Sequence, residues 1–359
     1  MNLITKPDAE ECLDRIEAWW DGHLTDRPPV TLNVRSDRRA RDIAPPSGSW
    51  RRRKLDVDYV LHCVEAHVEA GVFRAETFPR FMPNLGPEIC AAAYGCELEF
   101  SETTSWSVPC VGSIRDVPGL APDLDCFYWS VIREMTDRSI ARSNGRWITA
   151  ITDLHTNGDL LAALRDPQAL AMDFADDLPG VRDACRHVTP HASIFYDDLY
   201  QRIAAAGQPC TTWGIAISRR PMYYLSCDFI CMISPAMFAE TILPAIEWES
   251  RRLDRTIFHL DGPGALKHLD ALLELPALHA VQWTYGAGAG RAGDWIEVYR
   301  RILAAGKGAE VQAADFDDAR AVMNALPAKG IWLSLGGSCS AGEADAFLAE
   351  TARWARGMR

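Results

Sequence analysis

From Trp147 onward, short β-prone runs alternate with helical stretches, and this alternation constrains the fold more than any other feature of the chain. The strand-like runs are Trp147–Leu154, Thr211–Ile217, Tyr223–Phe229, Thr256–Leu260, Ala280–Tyr285, Ala309–Ala313 and Gly330–Leu335. Helical stretches lie between or after most of them, at Ser234–Asp254, Gly264–Leu273, Trp295–Ala305, Asp317–Leu326 and Ala341–Arg356. Ser234-Pro-Ala-Met has the form of a helix start, with serine at the cap and proline in the first turn. Strands followed repeatedly by helices imply a parallel sheet with covered faces. Those seven strands, with Val30–Val34 from the N-terminal region, make eight. Eight favours a closed (β/α)8 TIM barrel over an open doubly wound sheet.

The whole chain, residues 1–359, reads as one such α/β domain, with residues 1–56 as an N-terminal helical extension and basic loop. A helix is expected over Asp8–Trp20, where Leu13, Ile16, Trp19 and Trp20 fall near helical spacing. Asp26-Arg-Pro-Pro29 ends it. A second helix is expected over Val57–Ala70, stopped by Gly71, and a short one within Gly86–Gly95. Gly286-Ala-Gly-Ala-Gly290 lacks the spacing and the following acidic residue of a dinucleotide site, so Rossmann-type binding is not expected.

Composition removes several classes of function. With 48% hydrophobic and 24% charged residues, the chain is globular rather than disordered. Asp and Glu outnumber Lys and Arg by 49 to 37, a net charge of −12. Such a surface binds neither nucleic acid nor anionic membrane in general, because phosphate contacts draw on basic groups. One stretch runs the other way. Arg35, Arg38, Arg39, Arg41, Arg51, Arg52, Arg53 and Lys54 face only Asp37 and Asp42, which suits a solvated loop or an arm over an anionic substrate. No apolar run nears the roughly 18 residues of a membrane span, and the acidic stretch Lys6–Glu17 is unlike a signal peptide. The expected location is therefore cytoplasmic. The eleven cysteines form no CxxC pair, and most are expected to be reduced and buried. A homo-oligomer is left open.

In a parallel barrel, chemistry gathers where strands end and loops begin. Those positions hold Asp153 and His155, Trp213, Tyr223 and Tyr224, Cys227 and Asp228, His259 and Asp261, Gln282 and Trp283, and Cys339. His259 and Asp261 alternate on one strand and so point to the same side. Asp261 precedes the tight turn Gly262-Pro-Gly264, and Cys339 follows the last strand. His259, Asp261 and Cys339, with Cys227 as a weaker fourth, are the candidate metal ligands. Three protein ligands and an open position are the layout of catalytic zinc. The same spacing also suits a structural His–Asp hydrogen bond with Cys339 incidental. Asp153, His155 and Asp228 are the candidates for acid–base catalysis. Trp213, Tyr224, Gln282 and Trp283 are candidates for substrate binding.

Phe258-His-Leu-Asp-Gly-Pro-Gly264, Val281-Gln-Trp283 and Trp332-Leu-Ser-Leu-Gly-Gly-Ser-Cys339 together resemble the C-terminal half of the uroporphyrinogen decarboxylase superfamily. Cys227-Asp228-Phe229 through Ile233-Ser-Pro-Ala-Met-Phe238 looks like that family's Ser-Pro-x-x-Phe helix. True uroporphyrinogen decarboxylases carry an N-terminal Met-Arg-Gln-Ala-Gly-Arg segment that grips substrate carboxylates, and this chain has none. The resemblance is closer to the methyltransferase branch, whose zinc is held by His-x-Cys and a late Cys. It maps those ligands onto His259, Asp261 and Cys339, with Asp261 in place of a cysteine. The resemblance implies a zinc-dependent methyltransferase acting on a small molecule. A corrinoid would be methyl donor or acceptor, brought free or by a separate corrinoid protein. The alternatives are a decarboxylase of a (poly)carboxylate and a non-catalytic ligand-binding barrel.

Overall fold

The computed structural model describes residues 3–357. Its parallel strands, numbered along the chain, are β1 (Val30–Thr31), β2 (Arg80–Phe81), β3 (Ile148–Thr149), β4 (Met222–Ser226), β5 (Arg255–Asp261), β6 (Ala280–Thr284), β7 (Gly308–Ala313) and β8 (Ile331–Leu335). Six of them form one continuous sheet in the order β1-β8-β7-β6-β5-β4, and β2 pairs with β3 in a second, two-stranded parallel sheet.

The strands do not form one closed eight-membered ring. Two lateral joins hold the short pair to the large sheet. At one, the Glu76 N–H donates to the Val30 carbonyl over 3.0 Å, and the Glu76 carboxylate accepts from the Val30 N–H over 2.7 Å. At the other, the Tyr223 hydroxyl donates to the Thr152 carbonyl at 2.8 Å and accepts from the Leu154 N–H at 2.6 Å.

One of the expected strands changes character, and one strand is unexpected. Thr211–Ile217 is an antiparallel hairpin, Cys210–Thr211 against Ile217–Ser218, and contributes no strand of the parallel set. Its apolar spacing suits either arrangement, but Gly214 bends the chain where an added Cβ would strike the Tyr224 ring. Arg80–Phe81 supplies the missing parallel strand. It escapes notice because only two residues pair between Pro79 and Pro83, too short a run to show a period.

Helix Ala9–Trp20 closes one end of the strand set. Trp19 donates through Nε1 to the Gly330 carbonyl at 3.0 Å and stacks edge-on to Trp332 at 5.1 Å. Trp20 donates to the Ile217 carbonyl at 3.0 Å. Trp19 thus sits where β8 begins, and Arg255, the first residue of β5, reaches the Trp20 carbonyl, so the helix covers the N-terminal ends of the strands and leaves the C-terminal ends free. Helices cover the sheet's outer face. Ile296–Ala304 lies over β6 and β7, and Ala341–Ala355 follows β8. The long predicted helix Ser234–Asp254 is two, Pro235–Thr241 and Leu243–Arg251, because Pro244 lacks the N–H that would continue the first. No described helix is long and apolar enough to cross a membrane.

Candidate metal centre

Strand register assembles the site. In a parallel sheet, residues paired across strands point to the same face. His259 on β5 pairs with Gln282 on β6, and Gln282 pairs with Glu310 on β7, so the three side chains form a lateral row. His259 Nδ1 lies 2.5 Å from Gln282 Oε1, and Gln282 Nε2 donates to Glu310 Oε1 at 2.5 Å. The Tyr224 hydroxyl donates to the other oxygen of Glu310 and accepts from the Ala216 N–H at 3.0 Å. Gln282, Glu310 and Tyr224 are all buried. Burial pushes the Glu310 carboxyl up.

At the head of this row, one ligand atom each from Asp228, His259 and Asp261 come within 4.8 Å of one another. Asp261 follows His259 by two on β5, and Asp228 opens a 3₁₀ turn, Asp228–Met232, just after β4. Burial raises the pKa of Asp261, and the charge of Asp228 adds to it. Burial likewise raises Asp228, with Asp159 as the neighbouring negative charge.

A second pair of groups stands beside this trio. His155 has Nε2 3.7 Å from Asp153 and Nδ1 3.7 Å from Asp159. Burial opposes the charged imidazole, but Asp159 and Asp153 outweigh it and the pKa of His155 is raised. Asp153 is raised by burial, against the pull of His155 and His259. One of its oxygens is buried without a hydrogen-bond partner among the described residues. Asp153, His155, Asp159, Asp228, His259 and Asp261 thus share one field, with four carboxylates around two imidazoles.

The structure sorts the other candidates by strand geometry. Cys339 does not join the trio. It follows β8, which stands three strand spacings from β5, about 14 Å across the sheet, and its thiol lies on the Asn33 carbonyl at 3.5 Å. Cys227 is buried and does not join the trio, its thiol donating to Asp159 at 3.5 Å. Trp283, the strand neighbour of Gln282, points to the opposite face and is fully buried edge-on to Trp295. Gln282 and Tyr224 are buried within the row, where they position His259 rather than meet solvent. Trp213 alone of that group lies half-buried at the site, edge-on to His259 at 5.0 Å.

Two residues of the site lie outside the sequence-derived set. Glu310 sits in mid-strand, and a carboxylate inside a buried parallel strand is itself the signal that marks it. Asp159 lies in helix Asn157–Arg165, and its carboxylate accepts from the N–H groups of Asp228 at 2.9 Å and Phe229 at 3.0 Å.

Away from the trio, a cavity of ≈ 340 Å³ is walled by Thr31, Asn33, His67, Arg80, Thr211 and Ser334, among others. The basic segment leaves the rim there. The Arg35 N–H donates to the Cys339 carbonyl at 2.7 Å, and its guanidinium to the Ser338 carbonyl at 2.9 Å. Further along, Arg51 lies over the rings of Phe127 and Tyr128.

No family model matches the chain, and no curated protein matches it. Among solved structures, one described as a methyltransferase from Methanosarcina mazei matches over 95% of this chain and 98% of its own, with a TM-score of 0.63 at 14% identity. At that identity the likeness is one of fold.

Proposed function

We propose that the protein is a metal-dependent enzyme of methyltransferase type acting on a small molecule, with Asp228, His259 and Asp261 as metal ligands. One observation carries the reading: three ligand atoms converge within 4.8 Å at the free ends of β4 and β5. The donor set fits a divalent ion. His259 is held by a hydrogen bond at Nδ1, the usual arrangement of a ligating histidine, and two carboxylates balance the charge. Zinc is the ion expected. Oxygen donors in place of thiolates make the site harder than a cysteine-rich one. The neighbouring fold, described as a methyltransferase, supports the choice of chemistry.

Asp228, His259 and Asp261 would hold the ion, and a thiol, alcohol or water beside it would have its pKa lowered enough to serve as a nucleophile at neutral pH. The protein's own part is to receive and hold the proton that leaves. His155, between two carboxylates, is the group placed to do so, and Asp153 and Asp159 stabilise its charged form. Trp213 walls one side of His259 and excludes water there. A corrinoid, free or carried by a separate protein, is the proposed methyl donor or acceptor.

A second reading is decarboxylation of a (poly)carboxylate, with protonated His155 or a raised Asp153 or Asp228 delivering the proton to the product carbanion. The raised pKa values of these groups favour it.

Metal analysis of the purified protein tests the first reading. About one divalent ion per chain is expected, lost in His259→Ala and in Asp261→Ala. Methylcobalamin demethylation in the presence of candidate thiols would then be followed by absorbance. A wild-type protein that retains no ion after incubation with zinc and desalting removes the proposal.

A further inference from the structure

We infer that Glu310, acting through Gln282, decides which nitrogen of His259 faces the metal. Glu310 is thus a positioning residue for the centre, although it touches neither the ion nor the substrate. The inference rests on the metal reading for its use, but its physical content is independent of any ion.

The argument is one of hydrogen-bond polarity. An ionised carboxylate only accepts, whereas a carboxamide has one accepting and one donating end. Glu310 accepts from the Tyr224 hydroxyl on one oxygen and from Gln282 Nε2 on the other. The Gln282 amide therefore has its nitrogen toward Glu310 and its oxygen toward His259. That oxygen accepts, so His259 must carry its proton on Nδ1. Nε2 then keeps its lone pair and, with Nδ1 taken by Gln282, is the nitrogen left to join Asp228 and Asp261 on an ion. With the amide reversed, Nδ1 would accept instead, Nε2 would carry the proton, and the imidazole would present N–H where a ligand lone pair is needed. The row is buried, so no water can substitute for a lost partner cheaply.

Nothing in the row except Glu310 fixes this direction. Tyr224 donates or accepts with equal ease, and a glutamine amide turns over freely. A carboxylate at the far end is the simplest way to lock an amide relay, and it also accounts for an acid in mid-strand.

The test exchanges the charge between neighbours. In Glu310→Gln the amide relay loses its fixed direction. Zinc affinity is expected to fall about 10- to 100-fold, the usual cost of losing an outer partner of a ligating histidine. In the double variant E310Q/Q282E, the carboxylate moves next to His259 and accepts from Nδ1 directly, while the amide at position 310 donates to it and accepts from Tyr224. The double variant is expected to recover most of the lost affinity. A purely structural role for Glu310 predicts the opposite order, with the double variant no better than the single one.

The tautomer is read without metal. Long-range proton–nitrogen spectra of nitrogen-15 histidine-labelled protein, at a pH where imidazole is neutral, identify His259 by its loss in His259→Gln. Wild type and the double variant should show the proton on Nδ1, and Glu310→Gln a shift toward Nε2. A wild-type His259 protonated on Nε2 overturns the inference whether or not zinc binds. A wild type that binds no zinc but carries the proton on Nδ1 retains the relay and removes only the metal reading. Should Glu310→Gln fail to fold, the wild-type spectrum and the double variant decide between them.

Discussion

Glu249 shows how a single buried carboxyl contributes to the pH response of this protein. Its side chain lies in helix Leu243–Arg251 and is 5% exposed, with Asn157 Nδ2 at 3.4 Å from one oxygen. Burial raises its pKa from 4.5 to about 7. The folded state therefore binds this proton more tightly than the unfolded chain does. Stability is greatest below the unfolded value, declines as pH rises through the interval from about 4.5 to about 7, and levels off above it. The shift corresponds to about 3 kcal/mol across the window. Glu249→Gln should abolish most of that slope and raise the urea midpoint at pH 8 while leaving it little changed at pH 4.5. Parallel pH profiles of wild type and variant would contradict the assignment. The residue scale also shows which parts of the candidate site a sequence can disclose. His259 and Asp261 stand out because they end a strand before Gly262-Pro-Gly264, and Asp228 because it follows one. Glu310 does not stand out by position, since attention to strand ends passes over a mid-strand residue. Cys339 is attractive as a late thiol after β8, but only the strand order shows that β7 and β6 stand between β8 and β5.

Among the elements, the turn Asp228–Met232 depends on a neighbour for its start. The turn has no side-chain cap of its own, and its first N–H groups are instead accepted by Asp159 from helix Asn157–Arg165. That helix in turn begins one residue after His155 and Thr156, so one carboxylate ties together both loops that carry the site. Asp159→Asn places an N–H where one oxygen accepts. Loss of a buried charged acceptor costs roughly 1–3 kcal/mol, and the freed turn should weaken zinc binding by about 10-fold. Urea unfolding and zinc titration on the same preparation check both. Unchanged zinc affinity in a destabilised variant would make Asp159 a matter of fold alone. The elements also explain what could be read from the chain. Helices such as Val57–Ala70 and Ala341–Ala355, and strands β5 to β8, have sharp starts and stops and a buried face, so period and capping residues reveal them. The run of helices from Phe127–Ser143 through His191–Ala205 carries Arg–Asp pairs and half-buried faces that blur the apolar period. Strand β2 pairs over only two residues, and no periodicity exists at that length, whereas the equally short β3 lies inside the expected run Trp147–Leu154.

At the scale of the whole molecule, the weak points are the joins between the six-stranded sheet and the β2–β3 pair, and Glu76 governs one of them. Its side chain has no exposure, and it accepts from Arg15 at 2.7 Å, from Arg27 at 2.6 Å and from the Val30 N–H at 2.7 Å. Arg15 belongs to the helix that covers the N-terminal strand ends, Arg27 to the connection into β1, and Glu76 itself to the approach to β2. A single carboxylate therefore couples the N-terminal helix, the edge of the large sheet and the short pair. Removing it leaves Arg27 buried without its counter-charge, whereas Arg15 keeps Asp26 and Glu11; breaking a buried pair by deleting one partner typically costs about 3–5 kcal/mol. Glu76→Ala is expected to lower the unfolding free energy by that amount, and Glu76→Gln, which retains an acceptor for Val30, by less. The proposed metal ligands stand on β5 and just after β4, away from the Glu76 join, and share no hydrogen bond with this network among the described residues. Distant sites without shared partners act independently. The folded fraction of Glu76→Ala should therefore take up zinc with wild-type affinity. A variant stable to within 1 kcal/mol of wild type would show that the join is held elsewhere. One that folds but has lost its zinc affinity would show that the two ends of the sheet are coupled through its core.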